Sequence, residues 1–151
     1  MPENIIIAAD HAGYALKEAL KPLLAEMGLD VTDAGTDSDR SVDYPDLGRK
    51  AAEAVASGRF PRGILICGSG VGMSIVANRF PGVRAALCLD EEMARMSRMH
   101  NDANVLVLAG RKTDSETARR IVRVWLETPF EGGRHGRRLE KIRELESHLK
   151  P

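Results

Sequence analysis

Short apolar runs alternate with amphipathic stretches along the whole of this chain. Ile5-Ile6-Ile7-Ala8-Ala9 is compact and β-branched, the pattern of a strand buried on both faces. Tyr14 to Met27 predicts a helix closed by Gly28, and Pro22 inside it is expected to kink or break it because proline lacks a backbone donor. A short strand is predicted around Leu29 to Thr32, then a polar loop through GTDSDRSVDYP and a helix from about Pro45 to Ala56. Gly63-Ile64-Leu65-Ile66-Cys67 predicts a central strand, followed directly by GSGVG. Beyond it the pattern predicts a helix over Ser74 to Arg79 and a strand over Arg84 to Leu89. A helix capped by Asp90 then runs to about His100, before a strand over Asn104 to Ala109. Ala118, Ile121, Val122 and Trp125 recur at the spacing of a buried helical stripe within Ser115 to Glu127. After the turn TPFEGG, a last helix carries the apolar stripe Leu139, Ile142, Leu145 and Leu149.

Strand and helix alternating in this way predict an α/β fold, a Rossmann-like three-layer α/β/α sandwich around a five-stranded parallel sheet. With no repeat, low-complexity tract or linker, residues 1–151 are expected to form a single domain. In such sheets ligands bind beyond the carboxyl ends of the strands. That rule directs attention to Asp10 and His11, to Cys67 with its glycine loop, and to the segments after Ala86 and Ala109.

Composition narrows the function classes. A chain of 151 residues can bury roughly two-thirds of the surface its unfolded form exposes. Lys plus Arg balances Asp plus Glu, 22 against 22, so no global charge points to nucleic acid or an anionic membrane, and any anion site must come from local clustering. No apolar run approaches the roughly 20 residues that span a bilayer, and MPENIIIAAD lacks the charged and apolar segments of a signal peptide. The two cysteines, Cys67 and Cys88, are too few for a disulfide framework and are not spaced for zinc; reduced thiols in a cytoplasmic compartment are expected.

ICGSGVG carries the most chemical information. Its glycines let the backbone approach a ligand and turn several N–H groups toward one point, which suits an anion; a tight strand-to-helix turn is the plainer alternative. Named motifs fail on inspection. Met73 stands where a dinucleotide fingerprint needs glycine and a cysteine phosphatase loop needs arginine. No Lys-Ser or Lys-Thr completes a Walker A loop, and Cys67 and Val71 occupy the glycine positions of a hydrolase elbow around Ser69. Cys88, inside AALCL, reads as a small core residue. Cys67 ends a strand at the ligand edge, facing dipoles that favour a thiolate able to abstract a proton or act as a nucleophile.

Asp10 before a helix is as well explained by capping as by binding. His100, in RMHNDAN at a helix end, has solvation or capping as its plain reading, and His11 and His100 are not at metal-ligand spacing. Arg134, Arg137 and Arg138 crowd the start of the last helix, with Arg111 just past the fifth strand. Such a cluster is either a solvated face or a phosphate clamp.

These residues, taken together, resemble the type B ribose-5-phosphate isomerases and the related allose- and galactose-6-phosphate isomerases. The resemblance rests on ADHAG at 9–13, DYP at 43–45, GILICGSGVG at 63–72, ANRFPGVRA at 77–85, RMHNDANVL at 98–106 and EGGRHGRR at 131–138. It implies that Cys67 is the base shuttling a proton between C1 and C2 through an enediolate. Backbone N–H groups of Gly68, Ser69, Gly70, Val71 and Gly72, with the Ser69 hydroxyl, would stabilise the developing oxyanion. His100 would open the furanose ring, Asn101 and Asp10 would bind sugar hydroxyls, and His11, Arg111, Arg134 and Arg138 would hold the phosphate. Arg137 is off the matching position. The resemblance also implies a homodimer, or a dimer of dimers, with the site shared between subunits and the last helix packed on a partner. No metal or other cofactor is implied. One branch of the family uses a Glu as base where Met73 stands here, so Cys67 places this chain in the cysteine branch.

The expected reaction is interconversion of ribose 5-phosphate and ribulose 5-phosphate. The same chemistry on allose 6-phosphate, galactose 6-phosphate or a tetrose phosphate is the near alternative. A non-catalytic sugar-phosphate binding protein, and phosphoryl or acyl transfer through a Cys67 intermediate, are the alternatives of other classes.

Overall fold

A computed structural model describes residues 2–149. Its strands are β1 (Asn4–Ala9), β2 (Asp30–Asp33), β3 (Arg62–Cys67), β4 (Ala85–Leu87) and β5 (Val105–Ala109). Its helices are α1 (Tyr14–Glu26), α2 (Tyr44–Ala56), α3 (Val71–Ala77), α4 (Glu91–Asn101), α5 (Ser115–Glu127) and α6 (Arg134–Leu149). The strands pair in parallel, in the order β2-β1-β3-β5-β4.

The two-residue period of a strand sorts the core into two layers. Ile5 and Ile7, Ile64 and Ile66, and Leu106 and Leu108 point to the face covered by α1, α4 and α5. Their neighbours Ile6 and Ala8, Leu65 and Cys67, and Val105 and Val107 point to α2 and α3. The three-layer sandwich expected from the apolar pattern is the observed one. Trp125 of α5 is fully buried in the first layer, on the stripe that its spacing predicted.

Three local expectations are corrected. Helix α1 runs unbroken through Pro22. An internal proline costs about 3 kcal/mol, and burial of Leu16, Leu20, Leu23 and Leu24, each contributing roughly 1.5–3 kcal/mol, outweighs it. Helix α3 starts at Val71 rather than Ser74 and ends at Ala77 rather than Arg79. Gly72 inside it lowers its intrinsic propensity, but Met73 and Ala77 are buried against α2 and fix the early start. Strand β4 covers only Ala85–Leu87 and forms one edge of the sheet.

The connection from β1 leads outward to β2, whereas the connection from β3 leads the other way, past β5 to β4. The carboxyl ends of β1 and β3 therefore flank the topological switch point, where such sheets bind ligands. Helix α6 lies along the β4 edge, where the Gly82 N–H donates to Glu146 Oε2 at 2.7 Å. Its stripe lines a groove with Val83, Ala85 and Ala86, yet Ile142, Leu145 and Leu149 remain 43%, 57% and 73% exposed. The face is only partly covered by its own chain. Among the described residues no helix is long and apolar enough to cross a membrane.

Candidate active site

Three loops meet at the switch point. The Asp10 N–H donates to the Ile66 carbonyl at 3.1 Å, the Gly110 N–H to that of Cys67 at 2.8 Å, and the Arg111 N–H to that of Gly68 at 3.0 Å. Glycine makes this approach possible. A Cβ on Gly13 would stand 2.7 Å from the Ile66 oxygen, and one on Gly110 would stand 2.6 Å from the Ala12 oxygen. Asp10, His11, Cys67, the loop Gly68–Gly72 and Arg111 are thus brought to one place.

Asp10 is buried, and its Oδ1 accepts the N–H groups of Ala12 and Gly13 at 3.0 and 3.1 Å. That oxygen caps the turn into α1, and no described residue bonds the other. His11 Nδ1 accepts the Val42 N–H at 3.2 Å, so the neutral ring carries its proton on Nε2. The same bond draws the 37–43 loop over the site. At the loop's end, the Tyr44 ring lies over Gly72, where a Cβ would come within 2.5 Å of Cε1.

Cys67 is 5% exposed at the end of β3, with its side chain on the α2/α3 face. Gly70 has φ +79°, which turns the loop into the first turn of α3. The N–H groups of Ser69 and Gly70 make no hydrogen bond among the described residues, whereas that of Val71 is taken by Ser69 Oγ at 3.2 Å. The Ser69 hydroxyl keeps its proton for a ligand. The Arg111 side chain crosses Gly68, its Nη1 3.4 Å from where a Cβ would stand.

The second cysteine behaves differently. Burial pushes the Cys88 thiol up to about 11, and its Sγ lies 3.7 Å from the Ala86 carbonyl oxygen. Alkylation of the native protein by iodoacetamide near neutral pH is therefore expected to mark Cys67 alone, with Cys88 reacting only after denaturation. Peptide mass spectrometry checks this, and a native adduct at Cys88 would contradict the difference in environment.

The remaining predicted residues lie elsewhere. Helix α4 runs back from the end of β4, so its last residues reach the amino ends of the strands. There Arg84 Nε, just before β4, donates to the carbonyls of Asn101 and Asp102, each at 3.1 Å. Four strand steps from Gly63 to Cys67, at about 3.3 Å each, separate that edge from the thiol by roughly 13 Å. His100, Asn101, Arg134 and Arg138 belong to this second group. Within one chain the sequence-predicted site is divided into two half-sites, one at the carboxyl ends and one at the amino ends of the strands.

The second half-site has its own order. The Glu131 N–H donates to the Met99 carbonyl at 3.1 Å, pinning the segment before α6 to the end of α4. This lays the His135 ring against His100, centroids 4.3 Å apart and planes 13° apart. Donor atoms of His100, Glu131 and His135 come within 4.8 Å of one another, a cluster that the sequence spacing did not reveal. Nearly parallel planes send the two imidazole lone pairs side by side rather than toward one point, so the arrangement fits a stack better than a chelate. Arg111, Arg134 and Arg138 are exposed and form no ion pair among the described residues, which leaves them free for an anion.

Sequence reasoning assigned no role to Val42, Tyr44 or His135. The latter two stand inside DYP and EGGRHGRR, stretches already quoted for their resemblance, and that was the available signal.

The chain is 45% identical over 144 residues to ribose-5-phosphate isomerase B of Escherichia coli, covering 95% of this chain and 97% of that protein. It is 41% identical over 140 residues to the D-erythrulose-4-phosphate isomerase of Pectobacterium atrosepticum, covering 92% of each. Among solved structures, ribose-5-phosphate isomerase B of Clostridium thermocellum superposes with a TM-score of 0.95 at 51% identity, over 97% of this chain and 99% of that one. The ribose/galactose isomerase family model matches residues 5–142, which contain both half-sites. Fold and length agree over nearly the whole chain, and the chain belongs to the ribose/galactose isomerase family.

Proposed function

We propose that this protein interconverts ribose 5-phosphate and ribulose 5-phosphate by moving a proton between C1 and C2, with Cys67 as the base. The observation that carries the reading is the Cys67 thiol at the switch point, beside loop N–H groups of Ser69 and Gly70 that have no partner among the described residues.

In the forward direction the Cys67 thiolate takes the C2 proton of the open-chain aldose. The electron pair moves into a C1–C2 double bond, and the carbonyl O1 becomes an oxyanion. Ser69 and Gly70 N–H groups and the Ser69 hydroxyl are placed to receive that charge, and each such donor contributes on the order of 100-fold. Transfer of the O2 proton to O1 and return of the thiol proton to C1 complete the ketose. No electrons leave the sugar, and no water is consumed. His100 moves the proton that opens the furanose ring, with Asn101 beside it on the sugar hydroxyls. Asp10 holds hydroxyls near the ring oxygen, while His11, Arg111, Arg134 and Arg138 hold the phosphate.

The division of these residues supports a site shared by two copies, in which one chain supplies Cys67 and the other supplies His100 and the arginines. The half-covered α6 stripe supplies apolar surface for such a pairing. Mixing tests it. Cys67→Ala and His100→Asn chains, each nearly inactive, are co-refolded so that subunits exchange. In a symmetric dimer, half the random pairs are mixed and each holds one intact site, so roughly a quarter of wild-type activity returns. No recovery, despite exchange seen by native mass spectrometry, would place both residues in one chain's site.

Proton NMR of ribose 5-phosphate with the protein in deuterated water tests the reaction itself. Ribulose 5-phosphate carrying deuterium at the transferred carbon is the expected product. A four-carbon substrate is the second reading, because a relative at 41% identity is named D-erythrulose-4-phosphate isomerase. A higher kcat/KM on the tetrose phosphate would select it.

A further inference from the structure

We propose that His135 is a positioning residue for ring opening, holding the His100 imidazole at a fixed angle by face-to-face stacking. The proposal rests on the reading of His100 as the ring-opening group.

The observations concern the pair rather than either residue. The ring centroids are 4.3 Å apart with planes 13° from parallel, although 35 positions of sequence separate the residues. His100 sits in the last turn of α4 and is half-buried, while His135 is in the first turn of α6 and only 6% exposed. One ring is therefore anchored, and the other faces outward across it. His135 Nε2 is buried without a hydrogen-bond partner among the described residues; the nearest carboxylate oxygen, on Glu131, is 3.5 Å away. A buried imidazole nitrogen without a partner carries a desolvation cost, so hydrogen bonding does not account for this residue. The face of the ring does.

The charge state agrees. Burial first, then His100, Arg134 and Arg138, hold the His135 imidazole below its usual range against the opposing pull of Glu131. That favours the uncharged form of His135, which presents a neutral π face to His100. A proton donor must meet the ring oxygen within a narrow range of angles, and a displacement of about 1 Å can cost on the order of 100-fold. At the end of a helix, a half-exposed histidine has several rotamers open to it; a flat anchored neighbour removes most of them.

The test compares His135→Ala, His135→Phe and His135→Gln in the full-length protein. Detailed balance ties the two net directions together, so two partial readouts are used. One is turnover of cyclic ribose 5-phosphate. The other is deuterium exchange at C1 of ribulose 5-phosphate, an open-chain ketose that needs no ring opening. His135→Ala should lower kcat for the cyclic aldose by roughly ten- to a hundredfold, leaving C1 exchange within about twofold and KM little changed. His135→Phe restores the flat face without the nitrogen, so its kcat should return to within about threefold of wild type.

Four results would overturn the proposal. Full turnover of the aldose by His135→Ala is the first. Equal losses in turnover and exchange, or a raised KM in both, would show instead that α6 and its arginines have shifted. Rescue by His135→Gln but not by His135→Phe would assign the role to the nitrogen. His100→Asn, run in parallel, is the fourth control. If it spares aldose turnover, the ring-opening reading fails and this proposal falls with it. An aldose-specific defect at His100, together with a silent His135→Ala, sinks the positioning role alone.

Discussion

Cys67→Ala lowers kcat for ribose 5-phosphate by about a thousandfold, within the span of general acid–base catalysis, while the protein still folds and binds sugar phosphate. The side chain removed is small and lies at the end of β3, where it packs with the α2/α3 layer. Its loss costs about 1 kcal/mol of stability, a change that urea unfolding resolves. The groups assigned to the phosphate, His11 and the arginines, keep their own supports: the Val42 N–H bond for His11 and the contact across Gly68 for Arg111. Calorimetry with ribitol 5-phosphate, which has the phosphate and hydroxyls but no carbonyl, should therefore give a Kd near that of wild type. Cys67→Ser separates acidity from size. A serine hydroxyl fills nearly the same space and does not ionise near neutrality, so the variant should be as inactive as Cys67→Ala. Substantial turnover by either variant would remove Cys67 as the base.

Gly70→Ala has the second-largest expected effect, and it reaches activity through the backbone. With φ at +79°, alanine is strained at this position whatever the space around it. Space is also lacking, because the new Cβ would stand 2.4 Å from Leu87 Cδ1 and 3.3 Å from the Leu108 oxygen. Strain and overpacking together predict a stability loss of about 2–4 kcal/mol. Relief of either term moves the N–H groups of Ser69 and Gly70, and misplacing one such donor costs on the order of 100-fold in kcat. Adding Leu87→Ala opens room for the methyl group but leaves φ unchanged. The double variant should therefore recover part of the stability and little of the activity. Full recovery of both would mean that the clash alone matters, and that the left-handed turn does not aim the donors.

The sheet was legible in the sequence because its strands are buried on both faces: runs such as Ile5–Ala9 and Gly63–Cys67 have no competing reading. The start of α3 was not, since local propensity at Gly70-Val71-Gly72 argues against helix, and burial of Met73 overrides it. Pro22 misled for the same reason, a local cost outweighed by four buried leucines. At the site, Cys67 and the glycine loop were legible because strand order is unimportant for residues at the end of one strand. The distance between Cys67 and His100 was not, because it depends on which end of the strands the last turn of α4 reaches. The His100–His135 stack was hidden more deeply. It depends on how α6 returns to α4, and no periodicity reports a contact between two helix ends.

The placement of the two half-sites bears on how substrate length is set. In the shared-site reading, the thiol rides on one body and the arginines of α6 on another, so the span available to a sugar is a rigid-body offset between copies. Changing the carbon number accepted then requires no new group in either half-site. A different tilt or slide of one copy is enough, and residues that never touch the sugar, such as Ile142 and Leu145 on the exposed stripe, set it. Specificity for short or long sugars would then be written in the packing of two surfaces, with the catalytic residues unchanged.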